Sequence, residues 1–151
     1  MKPVITYRGA TMADVDSIVN MEAVSLNHPW DRSDIEALMN EPSENAGKIA
    51  IIAEADGVPA AYVGASYILD ECEIGNVCTH PDYRRLGAAY GLLEELKNKC
   101  KELDIGSIFL EVSSTNDGAI SLYKKFGFDQ YNLRKDYYGK GDDALLFVYR
   151  T

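Results

Sequence analysis

Between Cys72 and Leu96 the chain spells out a site for an anion. A short apolar strand ends at Thr79 and His80, and Pro81 stops the ladder. A turn then carries Arg84, Arg85, Leu86, Gly87, Ala88 and Ala89, and an apolar stripe at helical spacing follows at once. A strand, a small-residue loop and a helix start leave several backbone N–H groups unpartnered at the positive end of a helix dipole, as a phosphate or pyrophosphate requires. Small residues at 87 and 89 let an anion approach the main chain. Any strand-to-helix turn also favours small residues, so the loop alone does not decide. Three more residues stand out. Glu111 is the one charged residue at the centre of an apolar strand, and Glu22 falls on the apolar face of the first helix. A carboxylate placed like Glu22 either receives hydrogen bonds from a nearby turn or looks into a wet cleft. Trp30, the single tryptophan, lies in a loop, where binding residues concentrate.

The elements that must position these residues follow from periodicity. Val4 to Arg8 reads as an edge strand, Thr11 to Asp14 as a capping box, and Val15, Ile18, Val19 and Glu22 as one face of a helix. Asp31 caps a second short helix, with Trp30 packing on Ile35, and Glu41-Pro42 breaks it. Lys48 to Glu54, Val58 to Leu69 and Cys72 to Thr79 are strands, the first two joined by a turn at Asp56-Gly57. Three antiparallel strands thus precede the anion loop. A doubly wound dinucleotide fold instead opens with its glycine-rich turn on the first strand, and neither of the common nucleotide-binding glycine motifs is present. After the loop, Leu86, Tyr90, Leu93, Leu96, Cys100 and Leu103 form a core stripe closed at Gly106. Ser107 to Ser113 is a strand and Asn116-Asp117 caps a helix from Ala119 to Phe126, with Gly127 as its C-cap. Phe128 to Lys135 and Ala144 to Arg150 make a final strand pair, joined by a connection that includes Tyr137 and Tyr138.

Composition sets the remaining bounds. The 151 residues, 46% of them apolar, suit a single domain over 1–151 with one substantial core. No signal peptide or membrane span is legible, which predicts a soluble cytoplasmic protein. Three cysteines, at 72, 78 and 100, predict buried reduced thiols, and two distant histidines predict no metal site. A net charge of −9 argues against a nucleic-acid partner. Acidic residues dominate the first half and basic residues gather later, at Arg84-Arg85, Lys124-Lys125 and Arg134-Lys135, which predicts a cationic substrate near the first half and an anionic cofactor on the second.

The run from Val77 to Ala89, then Leu110-Glu111-Val112, Asn116, and Leu122 to Phe128, resembles the GNAT superfamily of acetyl-CoA-dependent N-acetyltransferases along nearly the whole chain. Within it, His28-Pro29-Trp30 and the closing Asp136-Tyr137-Tyr138 with Asp143-Ala144 resemble the bacterial branch that acetylates the N-terminal alanine of a ribosomal protein. The resemblance implies an α/β, α+β layered fold: a mixed, mostly antiparallel central sheet of about six to seven strands flanked by about four helices. It implies acetyl-CoA as co-substrate and no metal. Backbone at Val77, Cys78 and Thr79 is expected to hold the pantetheine arm, and N–H groups from Arg85, Leu86, Gly87, Ala88, Ala89 and Tyr90 the pyrophosphate, with Asn116 also on the cofactor. Leu86 stands where the family often has a basic residue and Ala89 where it often has glycine, and neither change removes a backbone donor. Glu111 is implied as general base, acting through water, and Tyr123 as general acid. Trp30, Tyr137 and Tyr138 are expected to line a groove for a basic peptide N-terminus. The alternatives are a small cationic amine such as a polyamine or aminoglycoside as acceptor, or an acetyl-CoA-binding module without activity.

Overall fold

Asp56 and Gly57 both take positive φ, 49° and 82°, the conformation of a type I′ turn that matches strand twist. The two strands it joins therefore pair closely along their length. In the computed structural model, which describes residues 2–151, these are β2 (Ala46–Ala55) and β3 (Val58–Ile68). Around them run β1 (Ile5–Gly9), β4 (Glu71–Thr79), β5 (Ser107–Ser113), β6 (Asp129–Gly139) and β7 (Asp142–Arg150). The seven form one sheet in the order β1-β2-β3-β4-β5-β7-β6, antiparallel throughout except for β4 with β5. A parallel neighbour needs a crossover, and α3 (Ala88–Glu102) supplies it. The mixed, mostly antiparallel sheet and its four α-helices agree with the expected fold class.

Alternation along the strands divides the core in two. Ile49, Ile51, Ala53, Val63, Ile74, Leu110 and Val112 face α3 and α4 (Asp117–Phe126). Ile52, Tyr62 and Cys78 face the other way, onto α1 (Val15–Ser25) and α2 (Arg32–Ala37) through Ile18, Met21 and Ile35. All three cysteines are free and buried, as expected.

Several boundaries differ from expectation. The buried stripe of α3 is Ala88, Leu92, Leu93, Leu96 and Cys100; Leu86 precedes the helix, and Leu103 is its exposed C-cap. Asp104, at φ 57°, makes the reversal that Gly106 was expected to make. β6 runs on to Gly139, so Tyr137 and Tyr138 lie on a strand and the hairpin turn is Lys140-Gly141.

One glycine of α3 is fixed by packing. A Cβ on Gly91 would overlap the hydroxyl and ring of Tyr7 on β1. Gly91→Ala therefore forces that ring outward, an overpacking cost of about 1–3 kcal/mol. Alanine's better helix propensity returns about 1 kcal/mol. We expect a net loss of about 1 kcal/mol, read in calorimetry as a Tm lower by roughly 2–4 °C.

Candidate active site

The parallel pairing of β4 with β5 covers three positions only: Glu71 with Ser107, Cys72 with Ile108, and Glu73 with Phe109. Beyond them β4 carries an extra residue. Its register against β3 shifts from Ala65–Ile74 to Gly64–Asn76, leaving Gly75 as a bulge, and a bulge bends the strand that contains it. From there to Thr79, β4 has a neighbour on the β3 side alone. The His80 N–H donates to the Ala60 carbonyl at 2.8 Å. By the two-residue alternation of a strand, Cys78 and Asn76 also turn their peptide groups to β3, whereas Val77 and Thr79 turn theirs into the gap. The Ser25 hydroxyl donates to the Thr79 carbonyl at 3.2 Å. What remains facing the gap is the Val77 N–H and C=O and the Thr79 N–H, an interior edge that an extended amide chain can join. Of the three residues expected to hold pantetheine through their backbone, Cys78 is the one directed elsewhere, with its thiol on the Met21 carbonyl at 3.6 Å.

The anion loop follows. Arg85 and Gly87 adopt φ of 65° and 80°, and left-handed Gly87 leading into helical Ala88 is the pairing of conformations that turns successive N–H groups to one side. Gly87 caps α3 without any side-chain hydrogen bond, the first turn carries no acidic residue, and a Cβ on Gly87 would enter open space. The first intrahelical bond runs from the Gly91 N–H to the Gly87 carbonyl at 3.1 Å. The N–H groups of Ala88, Ala89 and Tyr90 thus lack helical acceptors. Tyr90 stacks edge-on against Phe126, ring centroids 5.2 Å apart, with the Lys125 ammonium 5.7 Å from its ring centroid. This arrangement fits a pyrophosphate.

Glu111 and Tyr123 lie on opposite faces of the sheet. Glu111 shares a face of β5 with Phe109, away from buried Leu110 and Val112. Its carboxylate is 31% exposed and meets the Arg134 guanidinium of β6 at 3.3 Å. Both line a cavity of about 430 Å³ together with Glu71, Glu73 and Tyr131. Tyr138 belongs to the same neighbourhood: burial raises its phenol, and the charge of Glu111 raises it further. Tyr137 stacks edge-on against Tyr138 at 5.1 Å and lies under the Arg134 guanidinium at 5.5 Å. Tyr123, on α4, is 8% exposed among Phe128 and Phe147. Burial pushes its phenol up to about 12.

Trp30 stands where the gap begins: a Cβ on Gly75 would lie 2.5 and 2.7 Å from its ring. Asn116 caps α4 by accepting from the Ala119 N–H at 3.2 Å, which occupies its carbonyl and leaves its amide nitrogen. The hairpin bearing Tyr137 and Tyr138 is pinned to the end of β5 from two sides. Ser113 donates to the Asp142 carboxylate, and Asp143 N–H donates to the Ser114 hydroxyl at 2.9 Å. Sequence reasoning missed Gly75 and Arg134. An isolated glycine within a strand is itself a bulge signal, whereas the placement of Arg134 over Glu111 depends on the register of β6 and carries no local mark. Among the described residues no cluster of possible metal ligands occurs, and no helix is long and apolar enough to cross a membrane.

Residues 15–128 match the family model described as the acetyltransferase (GNAT) family. The chain belongs to that family. As a GNAT acetyltransferase it is 33% identical over 97% of its length, and 95% of the relative's, to a Bacillus subtilis protein provisionally named a [ribosomal protein bS18]-alanine N-acetyltransferase. Its fold superposes on the ribosomal-protein-S18-alanine N-acetyltransferase of Escherichia coli with a TM-score of 0.87 at 24% identity, covering 97% of this chain and 94% of the other. It also matches yncA of Salmonella typhimurium, solved with its cofactor acetyl-CoA, with a TM-score of 0.77 at 19% identity, over 97% and 93% of the two chains.

Proposed function

We propose that this GNAT acetyltransferase transfers the acetyl group of acetyl-CoA to the N-terminal α-amine of alanine in a ribosomal small-subunit protein. The observation that carries the reading is the gap between β4 and β5, which offers free peptide groups along one edge; Glu111 on one face of the sheet and Tyr123 on the other are the base and acid this reading assigns to it. The Bacillus subtilis relative, similar along nearly the whole chain, supports the choice of acceptor.

In this reading the Val77 and Thr79 peptide groups pair with the amides of the pantetheine arm. The N–H groups from Arg85 to Tyr90 hold the pyrophosphate, and the Asn116 amide adds a donor. Bound acetyl-CoA supplies an activated acyl group. Glu111, on the cavity side, takes the proton the amine must lose, directly or through one water. Tyr123, on the other side, donates toward the departing sulfur. A base and an acid on opposite faces suit a direct transfer, in which the amine arrives from one side and the thiol leaves by the other. The acceptor asks little of the base: an α-amine with a pKa of about 8 is roughly a tenth uncharged at neutral pH, whereas a lysine at about 10.4 is uncharged in well under a thousandth. Glu71 and Glu73 give the cavity an excess of negative charge, which favours a peptide carrying cationic residues.

Mass spectrometry after incubation with acetyl-CoA and two basic peptides tests the proposal. One peptide has a free N-terminal alanine, and the other is blocked and carries an internal lysine. Acetylation of the first alone is expected; acetylation of neither, beside turnover of a polyamine, would move the substrate to small amines. The placement of Tyr138 has its own check. Tyr138→Ala is expected to raise the peptide KM about three- to tenfold and leave the acetyl-CoA KM unchanged, and unaltered peptide kinetics would remove Tyr138 from the groove.

A further inference from the structure

Glu22 is a carboxylate with no solvent exposure in the last turn of α1, and no step above uses it. It is fully engaged. One oxygen accepts from the Trp30 backbone N–H at 2.7 Å, and the other accepts from the Tyr62 hydroxyl of β3 and from the Asn76 side-chain amide at 2.9 Å. These three donors come from the loop between α1 and α2, from the centre of the sheet, and from the residue next to the Gly75 bulge. A buried carboxylate retained with a full set of donors fixes one geometry and costs several kcal/mol when any arm is lost.

We propose that Glu22 is a positioning residue for the acceptor: it clamps Trp30 onto the bulge of β4 and so sets the wall of the groove at the point where β4 and β5 part. The inference rests on the acceptor groove assigned above. Packing covers one side of Trp30 only: the residue is partly buried, packed on the α1–α2 core and over Gly75, and its other side borders a cavity of about 270 Å³ with Leu38 and Ala65. The tether from Glu22 fixes the Trp30 main chain, and with it the point from which the indole reaches Gly75. The gap-facing peptide groups of Val77 and Thr79 and the anion loop after β4 bond to none of the three clamp partners, so loss of the clamp falls first on acceptor binding and leaves the acetyl-CoA contacts in place.

Steady-state kinetics and the emission of the single tryptophan test this with Glu22→Gln and Glu22→Asp, which keep respectively the reach and the charge of the side chain. Glutamine can accept from the Trp30 N–H and donate to Tyr62 while Asn76 turns its carbonyl inward; aspartate, one methylene shorter, cannot span the three donors. Glu22→Gln is expected to keep the wild-type emission and a peptide KM within about twofold. Glu22→Asp is expected to shift the emission to the red and raise the peptide KM about tenfold, with the acetyl-CoA KM within twofold. The proposal is overturned if Glu22→Asp leaves the peptide KM unchanged, or if both KM values rise together in either variant. A wild type that acetylates no peptide would defeat the reading of the acceptor. The KM split would then be read with spermidine, and the emission shift would still decide whether the clamp exists.

Discussion

Tyr123→Phe is expected to lower kcat about a hundredfold, with both KM values within about twofold of wild type. The ring stays among Phe128 and Phe147, so the change removes a proton donor and little packing. A positioned general acid contributes on the order of a hundredfold or more, or about 2.7 kcal/mol. The role sets a proton-transfer cost that the site must offset. Against a free thiol at about 8.5, a phenol pushed up to about 12 would be a poor donor, uphill by about 5 kcal/mol. A thiolate released into dry surroundings is itself a stronger base than the free thiol, because burial disfavours its charge, and a hydrogen bond from the phenol to the developing thiolate offsets part of the remaining cost. The direction of the shift also fixes a pH profile. An acid must hold its proton, and a raised pKa lets Tyr123 hold it to higher pH, so wild-type kcat should stay level between pH 9 and 10.5. A descending limb centred near pH 10 would assign the acid to an ordinary exposed phenol instead.

Glu111→Gln is expected to lower kcat/KM for the alanine peptide about tenfold to thirtyfold at pH 7, and the deficit should shrink toward pH 9. The α-amine, with a pKa of about 8, is mostly protonated at the lower pH and about nine-tenths neutral at the higher. A base is therefore needed less as the pH rises. Glutamine keeps a carbonyl for the Arg134 guanidinium, so the fold around β5 and β6 should be undisturbed. A ratio of mutant to wild type that is constant from pH 7 to 9 would make Glu111 a structural partner of Arg134 and no base.

The parts of this site that were legible from residues are those with a local cause. The anion loop is readable because a left-handed Gly87 and the following helix start are properties of adjacent residues, and Glu111 is readable because a charge at the centre of an apolar strand is conspicuous. For Glu22 the sequence leaves two readings, hydrogen bonds from a nearby turn or a place in a wet cleft, and the Trp30 N–H with the full burial of the side chain decides for the first. What adjacent residues cannot show is where pairing stops. The sequence of β4 reads as a strand to Thr79 whether or not β5 accompanies it, and only the assembled sheet reveals that partnership ends at Glu73. The contact of Arg134 with Glu111 and the approach of Tyr138 likewise depend on β6 lying over β7 in one register. The core stripe of α3 keeps Leu93, Leu96 and Cys100 and differs at its ends: the helix begins at Ala88, so Leu86 precedes it, Leu103 falls on its C-cap, and Ala88 and Leu92 take inward places.

Sheet edges are ordinarily a hazard, because a row of open peptide groups at the rim recruits strands from other molecules and seeds aggregation. Here the row at Val77 and Thr79 is set in the interior of the sheet. A foreign strand would have to thread between β4 and β5 to use it, under α3 on one face and past Trp30 at its closed end. A single narrow chain of amides can enter lengthwise. The protein thereby keeps a short row of open peptide groups sheltered by its own fold from partners wider than one extended chain.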